Sequence, residues 1–194
     1  MTRIASVCVY AGSRIGHNSR FREAAAALGR GLAERGIDLV YGGGNVGMMG
    51  TMADAALAAG GRVVGVIPRF LEEREARRRD LTELHTVATM HERKAKMAEL
   101  SDAFVVLPGG LGTLDETFEI LTWRQLRLHD HPILVADIGG YWGDLFRQIQ
   151  RAVAEGFVQG IETGLFERHE TIEAVLARLD MLAAPAHADV LGRA

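Results

Sequence analysis

Short apolar runs alternate along this chain with longer stretches in which apolar residues recur at helical spacing. The runs "IASVCVY" (4–10), "DLVYGG" (38–43), "RVVGVIP" (62–68), "AFVVLPGG" (103–110) and "HPILVAD" (131–137) predict strands. Most of them are continuously apolar, as strands covered on both faces are. Between them "SRFREAAAALGRGLAERG" (19–36) and "VGMMGTMADAALAAGG" (46–61) predict helices that stop at glycine. Helical patterns also fill 91–100, 113–128, 141–155 and 171–182. Strands alternating with helices imply βαβ units, and hence an α/β fold of the Rossmann-like class with a doubly wound parallel sheet. Such sheets bind ligands beyond the carboxyl ends of their strands. The glycine-rich segments "YAGSRIG" (10–16), "YGGGNVGMMG" (41–50) and "LPGGLGTLDE" (107–116) fall at that edge.

Composition narrows the field only a little. The chain has 194 residues, of which 48% are hydrophobic and 24% charged. It reads as a single domain over 1–183, with a frayed tail over 184–194. A net charge of −3, with basic residues spread out, gives no electrostatic footprint for nucleic acid. No apolar window reaches membrane-spanning length and no leader pattern opens the chain, so a cytoplasmic protein with no membrane partner is expected. The one cysteine, Cys8, sits within an apolar strand and is expected to be a buried, inert thiol. The histidines lack metal-ligand spacing, so no metal is expected. Of the 22 basic residues only Lys94 and Lys96 are lysines, both in "MHERKAKM" (90–97).

Candidate chemistry gathers in three glycine-rich or basic segments. "GGGNVG" (42–47) has the G-x-G-x-x-G form, but it follows the second strand, and no acid at the end of the next strand is placed to hold a ribose. NAD is disfavoured, and these glycines serve either tight packing or the lining of a site. No Gly-Lys-Ser/Thr occurs, which excludes a P-loop. In "PGGLGT" (108–113) Gly109, Gly110 and Gly112 let the backbone turn its amides toward one point ahead of a helix. Together with the helix dipole they make an anion site, to which the Thr113 hydroxyl adds a donor. Thr113 and Glu116 also have the T-x-x-E capping-box spacing. Glu116 can therefore cap the helix, face a bound phosphate ester, or do both. Arg93 and Lys94 lie about 100° apart around a helix, and by themselves they suggest a solvated basic turn.

The combination of "MHERK", "SDAFVVLPGGLGTLDE" and "LTWRQL" resembles the LOG (Lonely Guy) family of cytokinin riboside 5′-monophosphate phosphoribohydrolases. The resemblance extends over about residues 4–160, through "DLVYGGGNVGMMG", "VVGVIP" and "HPILVADIGGYWGDL". It implies hydrolysis of the N-glycosidic bond of a nucleoside 5′-monophosphate without a cofactor, releasing a free base and ribose 5-phosphate. It implies Arg93 and Glu116 as the catalytic residues. Lys94, the loop Gly109, Gly110, Leu111, Gly112, Thr113, Leu114 and Asp115, together with Thr122 and Glu75, would contact substrate. The stretch around Glu75, "EEREARRRD", departs from the family pattern. The resemblance further implies a homodimer with helix 113–128 at or near the interface. The competing expectations are a nucleotide-binding module that leaves its ligand intact, and a pyridoxal-phosphate lysine decarboxylase, which would need a Schiff-base lysine.

Overall fold

The computed structural model describes residues 4–72, 80–158 and 164–183. Seven parallel strands form one sheet: β1 (Ser6–Tyr10), β2 (Asp38–Tyr41), β3 (Val63–Pro68), β4 (Glu83–Val87), β5 (Ala103–Val106), β6 (Ile133–Ala136) and β7 (Glu167–His169), in the order β4-β3-β2-β1-β5-β6-β7. The helices are α1 (Ser19–Glu34), α2 (Gly47–Ala58), the single turn α3 (Arg69–Glu72), α4 (Met90–Glu99), α5 (Leu111–Gln125), α6 (Gly143–Ala154) and α7 (Ile172–Ala183), with a 3₁₀ turn at Ile138–Gly140. The chain steps outward from β1 to β4, returns to the other side of β1, and steps outward again to β7. The order therefore reverses between β1 and β5, where the crevice of a doubly wound sheet opens.

Successive residues of a strand face opposite sides, and here each side is a core. Val7 and Val9 of β1 pack with Leu28 and Leu32 of α1, Met52 of α2 and Val175 of α7. Cys8 and Tyr10 pack on the other face with Met97 of α4, Ile120 of α5 and Phe104 of β5. Covering both faces explains the unbroken apolar runs. Burial pushes the Cys8 thiol well above its usual range, so it is an inert core residue as expected.

Two strands lie outside the expected set. β4, "ELHTV", pairs with β3 from Val64↔Glu83 to Pro68↔Val87. β7 is three residues, "ERH", paired with β6. Both are edge strands and carry charged residues, which blunt an edge against further pairing but erase the apolar signal. Glu83, for instance, pairs with Arg62 and His85. Helix α5 also begins two residues before the expected 113 and ends at Gln125; Arg127 at φ 60° turns the chain away. Among the described residues no helix is long and apolar enough to cross a membrane.

Candidate active site

Helix α4 starts with a side-chain cap. The Thr89 hydroxyl accepts from the Glu92 amide at 3.1 Å, and the Glu92 carboxylate reaches back to the Ala88 amide at 2.9 Å. The T-x-x-E device expected at 113–116 is thus built at 89–92. At 113–116 it is absent: Gly110 is the N-cap of α5 without a side-chain cap, and Thr113 is already the third helical residue. Glu116 is free of capping duty because its carboxylate points elsewhere.

The first turn of α4 sends two cations into the protein. Arg93 and Lys94 are each only 7% exposed, which overturns the expectation of a solvated basic turn. Arg93 donates from Nε to the Val66 carbonyl (3.1 Å), from Nη2 to the Gly42 carbonyl (3.2 Å) and from Nη1 to Glu116 Oε1 (3.2 Å). One guanidinium thus joins the carboxyl ends of β2 and β3 to helix α5. Lys94 Nζ lies 3.1 Å from an Asp115 oxygen and 3.0 Å from a Glu119 oxygen. Burial alone would lower the Lys94 pKa, but its bonds to Glu119 and Asp115 outweigh that and raise it.

Glu116 is 8% exposed. Burial pushes its pKa up to about 7, and the neighbouring Asp115 and Glu119 add to the rise. The attraction of Arg93 and Lys94 only partly offsets this. A carboxyl group poised there can give and take protons at neutral pH, which its ordinary value would not allow. Tyr10, at the end of β1, is a buried neighbour, and burial holds its phenol protonated.

The 108–112 turn sits beside this pair. The Gly12 amide donates to the Pro108 carbonyl at 3.2 Å, tying the loop after β1 to the loop after β5. A Cβ on Gly109 would overlap Thr113 Oγ1 and stand 2.8 Å from the Gly12 nitrogen, so the two loops meet only because glycine is there. Around Gly110 and Gly112 a Cβ would meet nothing within 4 Å. The protein's own packing does not demand glycine at those two positions. Leu114 N donates to Gly110 O at 3.0 Å, so the amides of Leu111, Gly112 and Thr113 lie ahead of the intrahelical ladder. The first turn of α5 contains no acid of its own to occupy them.

A cavity of about 480 Å³ opens on this turn, walled by Gly109, Gly110 and Leu111, by Ser13 and Arg14 after β1, and by the rings of Phe21 and Tyr141. Arg14 is its one charged wall among the described residues. The Tyr141 hydroxyl donates to the Gly109 carbonyl at 2.5 Å. Tyr141 follows the 3₁₀ turn, whose base is fixed by buried Asp137: its carboxylate accepts from the Trp142 amide at 2.6 Å and pairs with Arg168 at 2.6 Å. Arg93 and Glu116 are not among the cavity walls; the glycine turn is what the cavity and the acid-bearing helix share.

The structure therefore brings together Arg93, Lys94, Asp115, Glu116 and the turn from Gly109 to Thr113. Leu114 is half-buried on the same helix. Thr122 stands apart: it is exposed, donates to the Phe118 carbonyl at 2.7 Å, and lines a different cavity with Phe118, Leu165 and Phe166. Glu75 lies outside the described residues. Sequence reasoning did not find the carbonyls of Gly42 and Val66, the cap at Thr89, or Arg14 and Tyr141 as cavity walls. Three of these carried a signal that named no partner: Gly42 in the "GGGNVG" match, Arg14 in the glycine-rich "YAGSRIG", and Thr89 at T-x-x-E spacing from Glu92.

The chain is similar to known proteins in sequence and in fold. The family model described as "Possible lysine decarboxylase" matches residues 49–179. A cytokinin riboside 5′-monophosphate phosphoribohydrolase of Arabidopsis thaliana is 41% identical over 186 residues, 96% of this chain and 86% of the relative. Another from the same plant is 46% identical over 157 residues, 81% of this chain and 73% of the relative. Among solved structures, the molybdenum cofactor carrier protein of Chlamydomonas reinhardtii superposes with a TM-score of 0.73 over 94% of this chain and 100% of that one. At 19% identity that likeness is one of fold. With a family model over residues 49–179 and relatives above 40% identity across most of its length, the chain belongs to the LOG family of cytokinin riboside 5′-monophosphate phosphoribohydrolases.

Proposed function

We propose that the protein hydrolyses the N-glycosidic bond of adenosine 5′-monophosphates, N6-modified or not, releasing the free base and ribose 5-phosphate. The observation that carries this reading is the buried Arg93–Glu116 pair, with Glu116 pushed up to about 7, one helical turn beyond the amides that precede the hydrogen-bond ladder of α5. The turn from Gly109 to Thr113 takes the 5′-phosphate, and the openness around Gly110 and Gly112 leaves room for its close approach. Glu116 as carboxylate stabilises the positive charge that develops on the ribose and accepts a proton from the attacking water. The bond from C1′ to the base nitrogen breaks as the bond from C1′ to the water oxygen forms, and the proton that Glu116 took from the water passes to the departing base, which returns Glu116 to the carboxylate. Arg93 positions Glu116. Lys94, Leu114, Asp115, Thr122 and Glu75 are assigned to the substrate by family resemblance.

Family membership also supports a homodimer, and α5 and α6 supply a surface for it. Phe118 is 44% exposed, and α6 leaves Leu145, Phe146 and Ile149 only half-buried on its apolar side. Thr122 shares that face with Phe118, so a second copy packed there brings Thr122 into an interface. Action in the cytoplasm on a small molecule, with no nucleic-acid partner, completes the reading and agrees with the net charge of −3.

Product analysis with AMP and with isopentenyl-AMP tests it. Free base and ribose 5-phosphate are expected from at least one of them, and Glu116→Gln should lower the rate by about 10²–10⁴-fold. A folded wild type that binds both nucleotides and releases no base would make it a binding module instead. Lysine decarboxylation is disfavoured by Lys94 itself: an amine held protonated between two carboxylates is a poor Schiff-base nucleophile.

A further inference from the structure

Gly42, the first glycine of "GGGNVG", directly follows β2 and lies under the Arg93 guanidinium. A Cβ built on it would overlap Arg93 Nη2 and stand 2.9 Å from Arg93 Cζ, with Met49 Sδ the next atom at 3.4 Å. Its backbone does not explain the residue, since Gly43 and Gly47 adopt positive φ (75° and 69°) while Gly42 does not. Nor does close packing against main chain: the obstacle is one side-chain end. That end is not free to swing aside. Val66 O, Gly42 O and Glu116 Oε1 each take one of its donors, and the residue is buried.

We propose that Gly42 is a positioning residue for the hydrolysis: the side chain it lacks is the berth that seats Arg93 against Glu116. The proposal rests on the functional reading above for its catalytic consequence, though not for its geometry. A methyl group at 42 meets only side-chain ends, Arg93 and then Met49, so what yields is the guanidinium, at the expense of its hydrogen bonds, and not the main chain. The pushed-away guanidinium leaves Glu116 buried beside Asp115 and Glu119, with Lys94 the remaining cation and Cys8 and Tyr10 facing it from β1. Fold and site are thereby separable at this position.

The test is Gly42→Ala, alone and combined with Arg93→Ala. Gly42→Ala is expected to fold, at a lower Tm, with kcat/KM for AMP reduced by about 100-fold or more. The ascending limb of its pH–rate profile should move to higher pH, because a displaced Arg93 no longer favours the Glu116 carboxylate. A general loosening of the structure would lower kcat without moving that limb. In the Arg93→Ala background the same substitution has nothing to displace. Its effect on Tm should shrink there by at least about 2–4 °C relative to wild type. Unchanged activity and limb in Gly42→Ala overturn the proposal, as does an equal loss of Tm, or of folding, in both backgrounds. The Tm comparison needs no substrate. If wild type releases no base, the functional reading falls while the berth for Arg93 is still decided.

Discussion

A carboxyl group titrating near 7 divides between acid and carboxylate at neutral pH, and Glu116 is such a group. Two consequences of opposite sign follow. If the carboxylate is the working form, kcat/KM rises with pH through about 7, and Glu116→Gln abolishes that limb along with most of the rate. Stability moves the other way. The folded pKa lies above the ordinary glutamate value of 4.5, so between about 4.5 and 7 the folded state holds more protons than the unfolded chain. Its contribution is intact below the unfolded value and is lost as pH rises through the folded one. Denaturant titrations across this window should show wild type losing stability relative to Glu116→Gln; parallel curves would mean that Glu116 titrates normally. The sequence named Arg93 and Glu116 through motif and resemblance. It did not show that they touch, since their 3.2 Å contact spans two helices and depends on burial.

At the scale of elements, the local signals were right in kind and misplaced in detail. T-x-x-E occurs twice, at 89–92 and 113–116, and only the first forms a cap. Gly110 lets α5 begin early, and Arg93 offers Glu116 a stronger partner than an amide. Local spacing cannot weigh a partner 23 residues away. The glycines of the 108–112 turn were legible as a turn before a helix, yet their steric demands differ. Gly109→Ala must drive Thr113 and the Gly12 loop apart. It should cost about 1–3 kcal/mol in a denaturant titration and raise KM for AMP. Gly110→Ala meets no protein atom within 4 Å. It should therefore leave stability within about 0.5–1 kcal/mol of wild type and act on KM alone, if the phosphate approaches as proposed.

For the whole molecule, five of the seven strands and the doubly wound class were readable because buried parallel strands are apolar throughout. β4 and β7 were not, because "ELHTV" and "ERH" meet solvent and ion pairs on the sheet's borders. The sheet order, and with it the crevice between β1 and β5, depends on pairings that no local pattern encodes. The half-covered apolar side of α6 and Phe118 of α5 make a prediction at this scale. Light scattering should give a dimer mass for wild type, and Ile149→Arg with Phe118→Arg should shift it to monomer; a monomeric wild type would remove Thr122 from any shared interface.

The reversal of strand order divides the sheet into two halves, joined along the neighbouring strands β1 and β5. Above that seam the Arg93 guanidinium acts as a stitch, drawing the tips of β2 and β3 toward α5, which belongs to the other half. A nucleotide seated on the glycine turn and facing Glu116 would lie along the same seam. Ligand binding should then tighten both halves at once, so that hydrogen exchange slows together at the ends of β2, β3 and β5, and thermal unfolding with nucleotide bound is a single transition.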